Sequence, residues 1–213
     1  MTGPGSPRTG AIVAGLGLGF ALVGGGVLSE ADLGLVNTHA GVAEGHPDNS
    51  SASVFGGLTL SWMPSPQVVR TARPVLHPDI VPVVLVPATE KLDTAIARSV
   101  LGPTVPRVDA VHQVGRAALL VHALTHEPAH LLDATQDRLH QEPRREVYPV
   151  TMGAVDTLRA LGHAAVVSGA GPTAMALTTR DLVEVVVAEA RSWGRSWKVL
   201  TPGVPDVGLQ LLN

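Results

Sequence analysis

The sequence predicts an α+β fold, and three stretches carry that expectation. "IVPVVLVPA" (80–88) is a continuous apolar run, the pattern of a strand buried on both faces. "HAAVVSGAGPTAMALTT" (163–179) reads as strand, glycine turn, strand. "RDLVEVVVAEARSW" (180–193) has the apolar spacing of an amphipathic helix. Strands joined as a hairpin and mixed with helices favour α+β over a doubly wound parallel sheet.

In chain order, residues 1–10 are mostly Gly, Pro, Ser and Thr and read as loop. Ala11 to Val23 reads as a helix stopped by Gly24-Gly25-Gly26. Ser29 opens a second helix, with Asp32 three residues on in the manner of a capping box. "SVFGGLTLSWM" (53–63) reads as a strand interrupted by glycines. Residues 64–78, with several prolines, read as a loop and a lobe boundary. After the buried strand, "LDTAIARSVL", "GRAALLVHAL" and "AHLLDATQDRL" carry helical spacing, and Pro128 separates the last two. "VDTLRALG" closes a further helix at Gly162. "KVLTPGV" and "VGLQLLN" are expected to end the chain as strands.

Composition limits the function. A chain of 213 residues with 45% apolar residues can bury a substantial core, built from Ala, Val and Leu because aromatics are 3%. Net charge is −3 with no basic stripe, which argues against a nucleic-acid partner. There is no cysteine, so disulfides and thiolate metal sites are excluded and a cytoplasmic location is expected. The apolar run at 11–23 has features of a signal peptide, but it is short and glycine-rich for a membrane span. A core helix is the expectation, with no membrane association.

Several clusters could carry chemistry. "EGHPDN" (44–49) sets two carboxylates, an imidazole and an amide together. Asp48 or Asn49 could cap a short helix whose N–H groups face an anion, and Glu44 could hold a hard divalent cation. An ordinary N-cap with a solvated turn is the plainer reading. Gly169, Ala170, Gly171, Pro172 and Thr173 form a turn that is either a tight hairpin or a backbone cradle for an anion. Thr94 and Arg98, at i and i+4, share a helix face, and Arg144 and Arg145 lie in a loop. Arginine forks suit carboxylates, although surface charge is the simpler role. His122, His126 and His130 recur every fourth residue, but Glu127-Pro128 breaks the helix a metal site would need.

In order, "EGHPDN", "TAIAR", "DAVHQVGRAALLVHAL", "DRLHQEPRR" and "SGAGPT" resemble the homoserine kinases of the GHMP small-molecule kinase superfamily. The resemblance implies a two-lobed fold. An incomplete N-terminal nucleotide-binding lobe would span 1–70. A C-terminal lobe, a ferredoxin-like split βαβ with extra helices, would span 71–213. It implies transfer of the ATP γ-phosphoryl group to the hydroxyl of L-homoserine, with Mg2+. Glu44 is similar to the acidic residue that helps hold magnesium. His46, Asp48 and Asn49 match a signature beside the phosphate-transfer centre, and Gly169, Ala170, Gly171 and Thr173 match a glycine loop there. Thr94, Arg98 and Arg144 match the residues that meet homoserine, Arg144 gripping its carboxylate. Gln113 stands where many relatives carry Asn.

The family's nucleotide loop usually reads Pro-x3-Gly-Leu-Gly-Ser-Ser-Ala. Here "GPGSPRTGA" stands instead. Gly3, Gly5 and Ser6 can be laid on it, while Pro7 and Arg8 replace small residues. The family's first strands are also missing from the resemblance, so the 213-residue chain by itself is expected to turn over little. The alternatives are an inactive remnant that binds or pairs, and a GHMP kinase for another small alcohol. The resemblance leaves homodimerisation open and assigns no general base.

Overall fold

The computed structural model describes residues 7–90 and 94–211. The chain divides into two compact units, Met1–Leu76 with Val204–Asn213, and His77–Gly203. The last ten residues group with the first unit.

In the first unit, helix α1 (Pro7–Val23) starts earlier than its composition suggests. Proline lacks the N–H that a first helical residue leaves unbonded, so Pro7 suits that position. Helix α2 (Glu30–Glu44) has the expected entry: Ser29 accepts from the Asp32 N–H, and the Asp32 carboxylate accepts from the Ser29 N–H. Helix α3 (Asp48–Phe55) absorbs Ser53, Val54 and Phe55, which the sequence reading assigned to a strand. The strand begins only after Gly56-Gly57. Strand β1 (Leu60–Ser65) pairs antiparallel with β2 (Val68–Ala72), so residues 64–72 form a hairpin rather than the expected loop. The register shifts between Trp62 and Ser65, around Pro64, where a bulge tolerates a residue without a donor.

Val13, Val36, Ala40 and Val54 form this unit's core, flanked by Ile12, Leu16, Phe20, Leu33, Phe55 and Leu209. "VGLQLLN" is therefore not a strand in its described part; it contributes Leu209 as a core anchor. A buried polar ring joins the layers. Asn37 Nδ2 donates to Thr71 Oγ1 (3.1 Å), Thr71 to Ser51 Oγ (3.1 Å), and Ser51 to Asn37 Oδ1 (2.8 Å). Each member both donates and accepts, which offsets the cost of its burial.

The second unit is a four-stranded antiparallel sheet in the order β4-β5-β3-β6. Its strands are β3 (Ile80–Pro87), β4 (Ala164–Val167), β5 (Ala174–Thr179) and β6 (Trp197–Leu200). First and third strands are central and antiparallel, with the second and fourth outside, which is the ferredoxin-like arrangement. Strand β3 is buried as expected, and β6 pairs only with its residues 84–87. At Pro82 the strand thus has one partner instead of two, which accommodates the missing N–H.

Between β3 and β4 the chain forms α4 (Thr94–Ser99), α5 (Arg107–Thr125), α6 (Leu131–Ala134) and α7 (Pro149–Ala160). Helix α6 is one turn, shorter than "AHLLDATQDRL" suggested. The Thr135 hydroxyl bonds back to Leu131 O (2.8 Å), and Asp137 caps the turn that follows by accepting from the Leu139 and His140 N–H groups. Helix α8 (Val183–Ser192) follows β5. Val155 and Leu158 of α7, and Val186, Val187 and Ala190 of α8, cover one face of the sheet on Val83, Leu85, Ala165, Ala174 and Ala176.

Candidate functional site

Glu44 ends α2, and the chain turns through Gly45 into His46 and Pro47 before α3 begins at Asp48. Pro47, rather than Asp48 or Asn49, is the N-cap residue, and its side chain makes no cap bond. Asp48 instead sits in the first turn, where a carboxylate is favoured by the helix dipole. Its Oδ1 lies 2.6 Å from His46 Nδ1 and accepts from the Asn49 N–H at 2.8 Å. The three residues of the expected signature are thus joined at one carboxylate oxygen.

Glu44 has two unlike oxygens. Oε1 accepts from the Thr9 hydroxyl at 2.5 Å, while Oε2 is buried and has no hydrogen-bond partner among the described residues. A buried carboxylate oxygen left without a donor is costly unless a cation completes it. Carboxylate and hydroxyl oxygens are the donors that Mg2+ takes, so Glu44 with Thr9 fits that ion. Sequence reading missed Thr9, which lies one residue after the Pro7-Arg8 pair it treated as a disruption. Gly3, Gly5 and Ser6 lie outside the described residues.

In the second unit, Thr94 and Arg98 lie on α4. Arg144 is buried, and its Nε donates to the carbonyl of Ala97 at 2.8 Å. A long-range bond of this kind brings the "HQEPRR" segment to the helix that carries Thr94 and Arg98. Arg145 points elsewhere, into a fork with Glu142 and Asp156 at 2.7 to 3.2 Å, and those carboxylates hold its guanidinium firmly protonated. Adjacent arginines therefore have different environments.

Gly169–Thr173 forms the turn between β4 and β5, closed by the Ser168 N–H on Thr173 O at 2.8 Å. A Cβ on Gly171 would come within 2.9 Å of the Tyr148 ring and 3.0 Å of Val167, so only glycine fits. Tyr148 is fully buried, and its hydroxyl makes no hydrogen bond of good geometry among the described residues, although the Arg144 guanidinium lies close enough to act on it. Burial pushes its pKa up, opposed by the positive charge of Arg144. Tyr148→Phe removes an unsatisfied buried group and keeps the ring that seats Gly171. The melting temperature is expected to stay level or rise, by up to about 1 kcal/mol of stability. A clear loss of stability on thermal unfolding would show that the hydroxyl is bonded.

Gln113 accepts from the Arg138 N–H at 3.2 Å. His122 and His130 both approach Glu127 Oε2, at 3.4 and 2.9 Å, and His126 stacks on His122. Helix α5 ends at Thr125, before Pro128, as the sequence predicts. Among the described residues, no group of three or more His, Cys, Asp or Glu side chains is placed to hold a metal ion, and no helix is long and apolar enough to cross a membrane.

Residues 117–196 match the family model described as GHMP kinases C terminal. Together with the ferredoxin-like sheet, this match makes the second unit similar to the C-terminal domain of GHMP kinases. The chain's curated relatives include homoserine kinases. That of Streptomyces coelicolor is 45% identical over 202 residues, covering 95% of this chain and 63% of the relative. That of Cutibacterium acnes is 46% identical over 176 residues, covering 83% and 58%. The chain thus spans less than two thirds of the length of these relatives. Among solved structures, a homoserine kinase from Cytophaga hutchinsonii shares the fold with a TM-score of 0.79 at 18% identity, over 95% of this chain and 68% of that one. A mevalonate kinase from L. major does so with a TM-score of 0.60 at 14% identity, over 90% and 64%.

Proposed function

We propose that this protein belongs to the reaction of homoserine kinases: transfer of the ATP γ-phosphoryl group to the hydroxyl of L-homoserine, giving O-phosphohomoserine for threonine biosynthesis. One observation carries the reading to the substrate. The buried Arg144 guanidinium is anchored on Ala97 O, within the helix of Thr94 and Arg98. A buried arginine fork held against the helix that carries Thr94 and Arg98 suits a small amino acid, whose carboxylate it would take in two bonds.

Glu44 and Thr9 would hold Mg2+, which neutralises phosphate charge when bound. By resemblance, His46, Asp48 and Asn49 of the first unit are assigned to phosphate contact, and so, separately, is the backbone of Gly169, Ala170, Gly171 and Thr173 in the second unit. Such transfers depend on positioning and charge neutralisation more than on covalent participation by protein groups. A cytoplasmic location and a homodimer fit this reading.

A second reading, a module that binds without turning over, is favoured by Pro7-Arg8, where related loops have small residues. Proline withholds one N–H from a phosphate cradle. The test measures L-homoserine binding by calorimetry and, in parallel, labelled O-phosphohomoserine formed from labelled ATP with Mg2+. Binding with product formation supports the kinase. Binding without product supports the module. Absence of both overturns the assignment to homoserine.

A further inference from the structure

The glycine loop is held from outside its own hairpin, by the first turn of α7. Thr151 is fully buried, and its hydroxyl lies 2.5 Å from the Pro172 carbonyl and 2.6 Å from Glu90 Oε2, two acceptors that share its single proton. Glu90 in turn accepts from the N–H groups of Val150 (2.8 Å) and Thr151 (3.0 Å), so a carboxylate from 60 residues away caps this helix. Tyr148, at the N-cap of α7, packs its ring on Gly171. The loop therefore rests on α7 through one hydroxyl and one ring.

The same carboxylate stands four residues before Thr94, and Arg144, four residues before Tyr148, bonds Ala97 O. The segment that enters α4 and the segment that enters α7 are thus tied twice. We propose that Thr151, held by Glu90, is a positioning residue that couples the glycine loop to the α4 segment, so that occupancy of the Arg144 side orders the loop. The coupling to occupancy rests on the homoserine reading; the tether itself does not. A hydroxyl is required: valine has the shape of threonine but neither donates nor accepts. Sequence alone gave Thr151 and Glu90 no role, because each is an unremarkable residue until the fold sets them against Pro172.

Amide hydrogen exchange by mass spectrometry tests this on the whole chain, because it reads local opening without needing turnover. Without ligand, Thr151→Val is expected to speed exchange over 168–174 by roughly tenfold, with the sheet and the rest of α7 little changed and Thr151→Ser close to the parent. L-homoserine is expected to slow exchange of 168–174 in the parent and in Thr151→Ser, and not in Thr151→Val. Unchanged loop exchange in Thr151→Val overturns the proposal. So does an equal rise throughout α7 and the sheet, which marks a general loss of stability, or homoserine protection that persists in Thr151→Val. If homoserine protects nothing in the parent, the occupancy coupling and the homoserine reading fall together, while the ligand-free arm still decides the tether. Thr151→Ala, which removes the hydroxyl and leaves Glu90 in place, carries the same expectation if Thr151→Val does not fold.

Discussion

Replacing Arg144 by alanine is expected to weaken L-homoserine binding by about 2–5 kcal/mol, the range for removing one partner of a desolvated, hydrogen-bonded charge pair. Arg144 is buried, so a carboxylate bound there would exchange its hydration for the fork, and loss of the fork leaves it without either. Arg144→Lys is expected to recover little, since an ammonium offers a point charge where two parallel N–H groups are needed. Arg145→Ala is the control. Its guanidinium is already committed to Glu142 and Asp156, and it is half-exposed, so its removal should leave homoserine affinity unchanged and cost at most about 1 kcal/mol of stability. Calorimetric titration of the three variants, with thermal melts to confirm folding, decides the matter. Equal affinities for Arg144→Ala and the parent would remove Arg144 from the site.

Gly56→Ala should cost about 2–5 kcal/mol, combining a positive-φ, extended-ψ backbone open almost only to glycine with overpacking. Its φ is +70°, and a Cβ there would meet backbone atoms: the Val207 carbonyl carbon at 2.6 Å, Pro205 O at 2.8 Å and Gly208 N at 2.9 Å. Backbone cannot swing aside as a flexible side chain can. Two main-chain bonds fix this crossing, from Gly57 N–H to Pro205 O (2.7 Å) and from Leu209 N–H to Val54 O (3.0 Å). Neighbouring Gly57 also has a positive φ, +60°, but open space around its Cβ position, so Gly57→Ala should cost only the backbone part, about 1–2 kcal/mol. A denaturant titration that finds the two variants equally stable would refute the close-contact account. The consequence reaches the candidate site, because Gly56 closes the eight-residue helix that Asp48 opens.

Local signals in the sequence were read well where one residue type has one physical use. Ser29 and Asp32 announced a capping box and form it. The run of Val, Ile and Leu at 80–87 announced a strand buried on both faces. The glycines at 169 and 171 announced a turn between two strands. Errors came where neighbours in space outweighed local preference. "SVF" is β-branched and aromatic, yet it finishes α3 because Val54 belongs to the core formed with Val13, Val36 and Ala40. Pro64 suggested a loop, but a bulge lets a hairpin keep it. "VGLQLLN" alternates like a strand, yet Leu209 is used as a single anchor.

The sequence by itself determined the fold class, the succession of most elements, and a set of residue types whose order resembles one kinase family. Those follow from periodicity, capping chemistry and glycine or proline punctuation, which act over a few residues. Only the tertiary structure decided which of those residues have company. It paired Thr9 with Glu44 across 35 residues and left one oxygen of that carboxylate without a partner among the described residues. It buried Arg144 against Ala97 while sending Arg145 to Asp156. It set Thr151 between Glu90 and Pro172. Such contacts depend on long-range packing, and a hydroxyl or a carboxylate has the same local preferences whether its distant partner is present or absent.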